Sequence, residues 1–241
     1  MVLAADLACD EQDLLHDGVR VVPAAVRPGG RQLAHGSAVL LMATLGHGTV
    51  VSCDAARLAW AQATLGGLDR NQLFAPSTLA RIAARLEQDG QVLAGPSLHF
   101  VCQADRLPPT PLPAGVHIDV VDGLALAALY HQRQFRHALA YLSERPRAEL
   151  RAAVARLDGD GSVVGVAGAS PEGAVLWQIG VDVVAAARGR GIGRAIVGRT
   201  TAALLERGQL PHYATLVSNV SSSRLALGLG YQLAWVELVA R

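Results

Sequence analysis

The chain has no lysine. All 21 of its basic side chains are arginine. A phosphate-binding loop of the lysine-bearing kind is therefore excluded. Together with the many alanines, the arginine bias points to a GC-rich bacterial genome. Cysteine is scarce too: Cys9, Cys53 and Cys102 are odd in number and far apart. That pattern fits neither a disulfide framework nor a metal site, and it suggests buried thiols in a reducing compartment. Net charge is only +1, which gives no general attraction to nucleic acid or to an acidic membrane. No apolar run reaches the roughly 18–20 residues of a membrane span. The start, MVLAADLACDEQD, lacks a basic stretch followed by an apolar one and does not read as a secretory signal. The expected location is the cytoplasm, with no nucleic-acid or membrane partner.

What is present is a large apolar fraction, 51% of 241 residues. That is enough for a sizeable core in one or two domains. The sharpest break is RLPPTPLPAG at 106–115, whose four prolines favour an extended connector over helix or central strand. The expected organisation is a smaller α/β domain over 1–105, a Pro-rich linker over 106–115 and a larger domain over 116–241.

In the first part the pattern predicts strands at 38–44 and 48–53. A helix near 55–65 opens on Asp54, a second helix spans 77–89, and a strand lies near 98–103. GHG at 46–48 reads as a turn. In the second part it predicts a strand near 117–121, a helix over 123–141 and a short helix at 146–153. Strands follow near 152–158, 162–168 and 174–184. A helix then runs from Gly191 to Arg207, stopped by Gly208 with Pro211 just beyond. A strand at 212–218, a short helix at 221–229 and a strand at 231–239 complete the chain.

The least ordinary run is VDVVAAARGRGIGRAIV, residues 181–197. An apolar strand hands over to a helix through Gly189, Gly191 and Gly193, with Arg188, Arg190 and Arg194 threaded among them. Such a turn exposes backbone N–H groups at the positive end of a helix, which suits phosphate. Glycine keeps Cβ atoms out of the ligand's way, and arginine adds donors matched to phosphate. The dinucleotide pattern G-x-G-x-x-G fails, because its last glycine falls on Arg194. The residues therefore indicate a phosphate or pyrophosphate cradle.

The run Arg188-Gly189-Arg190-Gly191-Ile192-Gly193 fits R-x-x-G-x-G and resembles the acyl-CoA loop of the GNAT superfamily of N-acetyltransferases. Downstream, SNVSSSRLALGLGY sets Asn219, Arg224, Leu225, Gly230 and Tyr231 at spacings similar to that superfamily's second CoA-binding segment. The resemblance covers roughly 116–241, and the segment LPHYATLVSNVSSSRLALGLGY further resembles a subgroup of bacterial GNAT proteins that carry an extra N-terminal domain. It implies an α+β fold, a mixed central sheet flanked by helices. Residues 1–105 would be either a separate small α/β domain or a degenerate GNAT-like half that shapes the acceptor cleft or a homodimer contact.

The resemblance also implies roles. A bulged fourth strand would pair with the pantetheine arm through the backbone of Val181, Asp182 and Val183. Arg188, Gly189, Arg190, Gly191, Ile192, Gly193 and Arg194 would hold the pyrophosphate, and Asn219 and Ser222 would face the pantetheine. The co-substrate would be acetyl-CoA, and the acceptor a primary amine of a small molecule, amino acid or protein. No metal is implied. Asn219 equally reads as a helix cap.

The proton-handling positions depart from the family pattern. Ala226 stands where many relatives have a tyrosine, and Gln178 is the nearest match to their glutamate base. Substitutes include Asp182, which also reads as a solvent-facing strand residue. His212 and Tyr213 lie at the start of the fifth strand, where packing is the default for Tyr213. His131 and His137 lie on the helix expected to wall the cleft, on different faces. Tyr130, Phe135 and Tyr141 read as core, and Glu144 and Glu149 as surface. The catalytic residues stay unassigned at this point. A second class remains open, an acyl-CoA-binding regulatory or interaction module that has lost the chemistry.

Overall fold

The computed structural model describes residues 2–31, 39–139 and 150–241. Its strands are β1 Val19–Pro23, β2 Leu40–Thr44, β3 Thr49–Cys53, β4 Leu93–Val101, β5 Val116–Asp122, β6 Arg151–Leu157, β7 Val163–Pro171, β8 Leu176–Val183, β9 Leu210–Leu216 and β10 Gln232–Ala240. Its α-helices are α1 Val2–Leu7, α2 Ala55–Leu65, α3 Arg70–Leu73, α4 Pro76–Glu87, α5 Arg136–Leu139, α6 Ile192–Leu205 and α7 Val220–Gly228. The chain divides into two compact units. One comprises Met1–His99, Thr215–Ser218 and Ala234–Arg241, the other Phe100–Ala214 and Asn219–Leu233. The proline-rich run 106–115 falls inside the second.

In the first unit the strand order is β1-β3-β2-β10-β4. β1 runs parallel to β3, and β2 is antiparallel to both β3 and β10. β2 and β3 are buried along their whole length, which explains their continuous apolar sequence. Leu40, Met42, Val51, Leu65, Ile82 and Leu86 form the core between these strands and α2 and α4. Asp54 caps α2 by accepting the Arg57 N–H at 3.1 Å. GHG makes the β2–β3 turn, held by the Thr44 hydroxyl donating to the Gly48 carbonyl at 2.8 Å. The short elements β1, α1 and α3 are too brief to leave a period in the sequence.

This unit also buries a charge cluster. The Arg31 guanidinium donates to Asp6 and to Glu237, each at 2.5 Å. Trp235 Nε1 donates to the same Glu237 carboxylate at 3.0 Å, and His99 stacks on the Trp235 ring.

In the second unit the order is β9-β8-β7-β6-β5. β5 to β8 form antiparallel pairs, and β8 and β9 are parallel. α6 packs on one face. Thr200 ties it there, accepting the Ala153 N–H at 3.2 Å and donating to the Ala167 carbonyl at 2.8 Å. α5 and the turns before it cover the other face, where Leu126, Leu129, Phe135, Leu139 and Val166 are buried together.

Three expectations are corrected. The single helix over 123–141 is instead a 3-10 turn at Gly123–Leu129, another at Arg133–Phe135, and α5. Leu129 and Phe135 both face the sheet, yet six residues along an unbroken α-helix would turn them to different faces. The break at Gln132, in extended conformation, resets the phase. The short helix expected at 146–153 gives way to strand from Arg151, because Ala152 and Ala153 pair with Gly168 and Ala167 of β7. The remainder of both expectations, residues 140–141 and 146–149, lies outside the described residues, as do residue 38, Tyr141, Glu144 and Glu149. Third, β9 begins at Leu210, so Pro211 is a strand residue opposite Trp177 rather than only a signal that a helix has ended.

Candidate functional site

The site grows from how β8 is paired. On one side β8 runs in unbroken register with β7, from Pro171↔Trp177 to Gly165↔Val183. On the other it pairs with β9 only at Leu176↔Leu210, Trp177↔Pro211 and Gln178↔His212. Beyond Gln178 the edge of β8 has no β9 partner among the described residues. The strands part with no bulge in β8; the register shift lies at Ala155/Arg156 of β6. Backbone N–H and C=O groups need partners, so the free edge at Ile179–Val183 is a place for an extended ligand to pair as a strand would.

Side chains alternate along this edge. Gly180 and Asp182 face α5. A Cβ at Gly180 would run into the His137 carbonyl, and one at Gly168 into that of Ala138; only glycine lets α5 come that close. The Asp182 carboxylate accepts the Ala138 N–H at 2.9 Å. Burial pushes the Asp182 carboxyl up, while the backbone N–H groups of Ala138 and His137 hold it down. Asp182 is thus half-buried against α5, which corrects the solvent-facing reading. Val183 lies on the other pleat, toward α6, near Gly193.

At the far end of β8 the Gly–Arg turn leads into α6. Gly189 and Gly191 have φ of +75° and +81°, where L side chains are strained, and a Cβ at either would meet open space. The glycines therefore serve the backbone course and leave the loop uncovered. Gly191 is the N-cap of α6, so the N–H groups of Ile192, Gly193 and Arg194 occupy the helix's first turn. Fourteen residues of helix stand behind them, with the dipole's positive end toward the loop. Arg188 Nε donates to the Val183 carbonyl at 3.1 Å, and Arg190 reaches the Ala114 carbonyl at 3.5 Å. The open backbone and positive helix end of the loop suit an anionic phosphate group, with Arg188 and Arg190 anchored beside it on backbone carbonyls and Arg194 lying against Gly228 of α7.

At the start of α7, Asn219 Oδ1 accepts the Ser222 N–H at 3.1 Å. The cap reading of Asn219 is thus observed. It uses the amide oxygen and leaves the amide nitrogen as a donor. Nearby, Tyr213 is buried and packs edge-on against Tyr231, ring centroids 6.0 Å apart.

Residues 123–231 match the family model of the GNAT acetyltransferases. This segment is a GNAT acetyltransferase domain. Two solved structures with TM-scores of 0.50 or more agree in fold. A GNAT-related protein from Streptococcus suis is 18% identical, with a TM-score of 0.51 and 68% of each chain covered. One from Kribbella flavida is 20% identical, with a TM-score of 0.50, covering 66% of this chain and 63% of that one. A GNAT-family protein from Novosphingobium aromaticivorans is 18% identical at a TM-score of 0.49, covering 63% and 66%. The chain thus spans about two thirds of the length of these proteins, and less than that of the last two. No curated protein matches it in sequence.

Within the GNAT domain, Val181, Asp182 and Val183 lie on the unpaired edge of β8. Arg188 to Arg194 form the turn, and Asn219 and Ser222 open α7. Arg224 is exposed. Gln178 lies on the last paired rung and Ala226 is fully buried; neither carries an exchangeable proton suited to acid or base work at neutral pH. His212 is fully buried and its Nδ1 lies 2.8 Å from Glu172 Oε2. His131 is exposed, and Phe135 is core. Among the described residues no group of His, Cys, Asp and Glu could hold a metal ion, and no helix is long and apolar enough to cross a membrane. The Asp182–α5 contact left no sequence signal, because it joins elements that meet only in the fold.

Proposed function

We propose that this protein is an N-acetyltransferase that moves the acetyl group of acetyl-CoA to a primary amine by direct attack. The observation that carries this reading is the parting of β8 from β9 after Gln178↔His212, with the Gly–Arg turn at the opposite end of the same free strand edge. The two features have the polarity of one extended, phosphate-bearing molecule. The Arg188–Arg194 turn would take the pyrophosphate. The backbone of Val181, Asp182 and Val183 would pair with the pantetheine arm, and the Asn219 amide and Ser222 would meet it from α7. CoA supplies the activated acyl thioester, and the domain's residues orient it.

The acceptor must arrive as a neutral amine, since an ammonium has no lone pair. Much of the acceleration would come from holding two reactants in place, with a strand N–H near Val183 stabilising the developing oxyanion. The test is incubation with acetyl-CoA and a panel of small amines, amino acids and peptides, following free thiol. Release that depends on the amine supports the reading. The absence of usable protons at Gln178 and Ala226 favours a second reading, a CoA-binding module without turnover. Tight CoA binding with no thiol release across the panel would select it.

A further inference from the structure

We propose that Leu112, in the proline-rich run 106–115, is the shelf for the adenine ring of CoA, an assignment that rests on the cofactor reading above. The run is seated on α6 and α7, all within the second unit. At its start the Arg106 carbonyl lies against Gly230, where a Cβ would come within 2.0 Å of that oxygen. In its middle the Thr110 side chain fills a notch at Gly198, where a Cβ would come within 2.4 Å of Thr110 Cγ2. A glycine inside a helix is destabilising relative to alanine, and the close approach of Thr110 accounts for this one. At its end the Gly115 carbonyl accepts the Asp158 N–H at 3.2 Å, and the Ala114 carbonyl accepts from Arg190 of the Gly–Arg turn at 3.5 Å. The run is therefore held at both ends and in the middle.

These contacts fix its path. Gly198 and Gly191 are seven residues apart on α6, a rise of about 10 Å. Thr110 and Ala114 are four residues apart, at most about 14 Å of extended chain. The run thus follows α6 back to its N-terminus, and Leu112 flanks the first turns of the helix, beside the turn that takes the pyrophosphate. Leu112 is 52% exposed. Pro111 and Pro113 on either side restrict the backbone that presents it. The run holds no acidic side chain that would repel a phosphate. In CoA the adenosine is joined directly to the pyrophosphate. Its base is flat and largely apolar, and its ribose carries a further phosphate. An apolar side chain next to a guanidinium suits both parts. The ring lies on Leu112 and Pro113, and Arg190, standing between the run and the turn, serves the phosphates. Residues 106–115 lie outside the segment that the GNAT family model matches, 123–231, so the shelf comes from this chain's connector and not from the matched domain.

The test is calorimetry on the full chain with two ligands, acetyl-CoA and 4′-phosphopantetheine, which lacks the adenosine. Leu112→Ser removes the apolar face at an exposed position, where substitution has little effect on stability. We expect it to weaken acetyl-CoA about 3- to 10-fold, the worth of covering the exposed half of a leucine. Binding of 4′-phosphopantetheine should stay within about 1.5-fold, because that ligand never reaches the shelf. Leu112→Phe broadens the shelf and should bind acetyl-CoA at least as tightly as the wild type. Equal weakening of both ligands by Leu112→Ser, no weakening of acetyl-CoA, or a Leu112→Phe that loses as much as Leu112→Ser overturns the assignment. A wild type that binds acetyl-CoA no more tightly than 4′-phosphopantetheine also overturns it. A wild type that binds neither ligand overturns the cofactor reading itself.

Discussion

Gln178 and His212 face one another on the last rung of the β8–β9 pair, and the His212 imidazole is tied by Nδ1 to the Glu172 carboxylate at 2.8 Å. The vertex of the strand gap is therefore pinned by a buried polar contact. Glu172→Ala should lower stability by about 1.5–3 kcal/mol, the range for a hydrogen bond involving a charged group. Urea denaturation reads this as a lower midpoint at unchanged slope.

Asp182 gives a pH signature. Its folded pKa is raised above the ordinary 3.8, chiefly by burial. The folded state then holds this proton more tightly than the unfolded one. The associated stability is full below the unfolded value and lost as pH rises through the folded value. Urea midpoints measured from pH 3.5 upward should fall across that window more in the wild type than in Asp182→Asn. Equal slopes would show that Asp182 is not the group responsible.

In the first unit Arg31 is bound by two carboxylates, with side-chain exposures of 2% for Arg31, 2% for Asp6 and 8% for Glu237. Removing the cation leaves two buried anions facing each other. Arg31→Ala should cost about 3–5 kcal/mol, as when any buried pair loses one partner. Thermal unfolding measures it, and a loss below about 1 kcal/mol, the value for an exposed pair, would mean the cluster is wet.

Gly180 lies under the His137 carbonyl. Gly180→Ala should destabilise by about 1–3 kcal/mol through overpacking, seen as a reduced melting temperature, because the obstacle is backbone and cannot rotate away.

Much of the GNAT domain was readable because its signals are local. The α6 helix follows from apolar spacing and its stop at Gly208, and the loop follows from residue types at fixed offsets. The helix expected over 123–141 failed because an apolar-rich stretch, GLALAALYHQRQF, carries no strong period, and tertiary packing of Leu129 and Phe135 on the sheet decided its course. The free edge of β8 was invisible in composition. It depends on where β9 stops pairing, which no stretch of sequence records. Asp182 was legible as a charge on the right strand, but its direction depends on register. The buried cluster of Asp6, Arg31 and Glu237 joins residues more than 200 positions apart, beyond any local reading.

The most direct measurement is acetyl-CoA binding, by thermal shift and calorimetry, on the wild type and on Gly191→Glu. The account predicts a wild type stabilised by about 2.7 kcal/mol at a hundred-fold excess over Kd. In the variant, whose side chain would project a carboxylate over the open turn at a φ of +81°, the account predicts no shift with the fold retained. No shift in the wild type, or an equal shift in both, would contradict it.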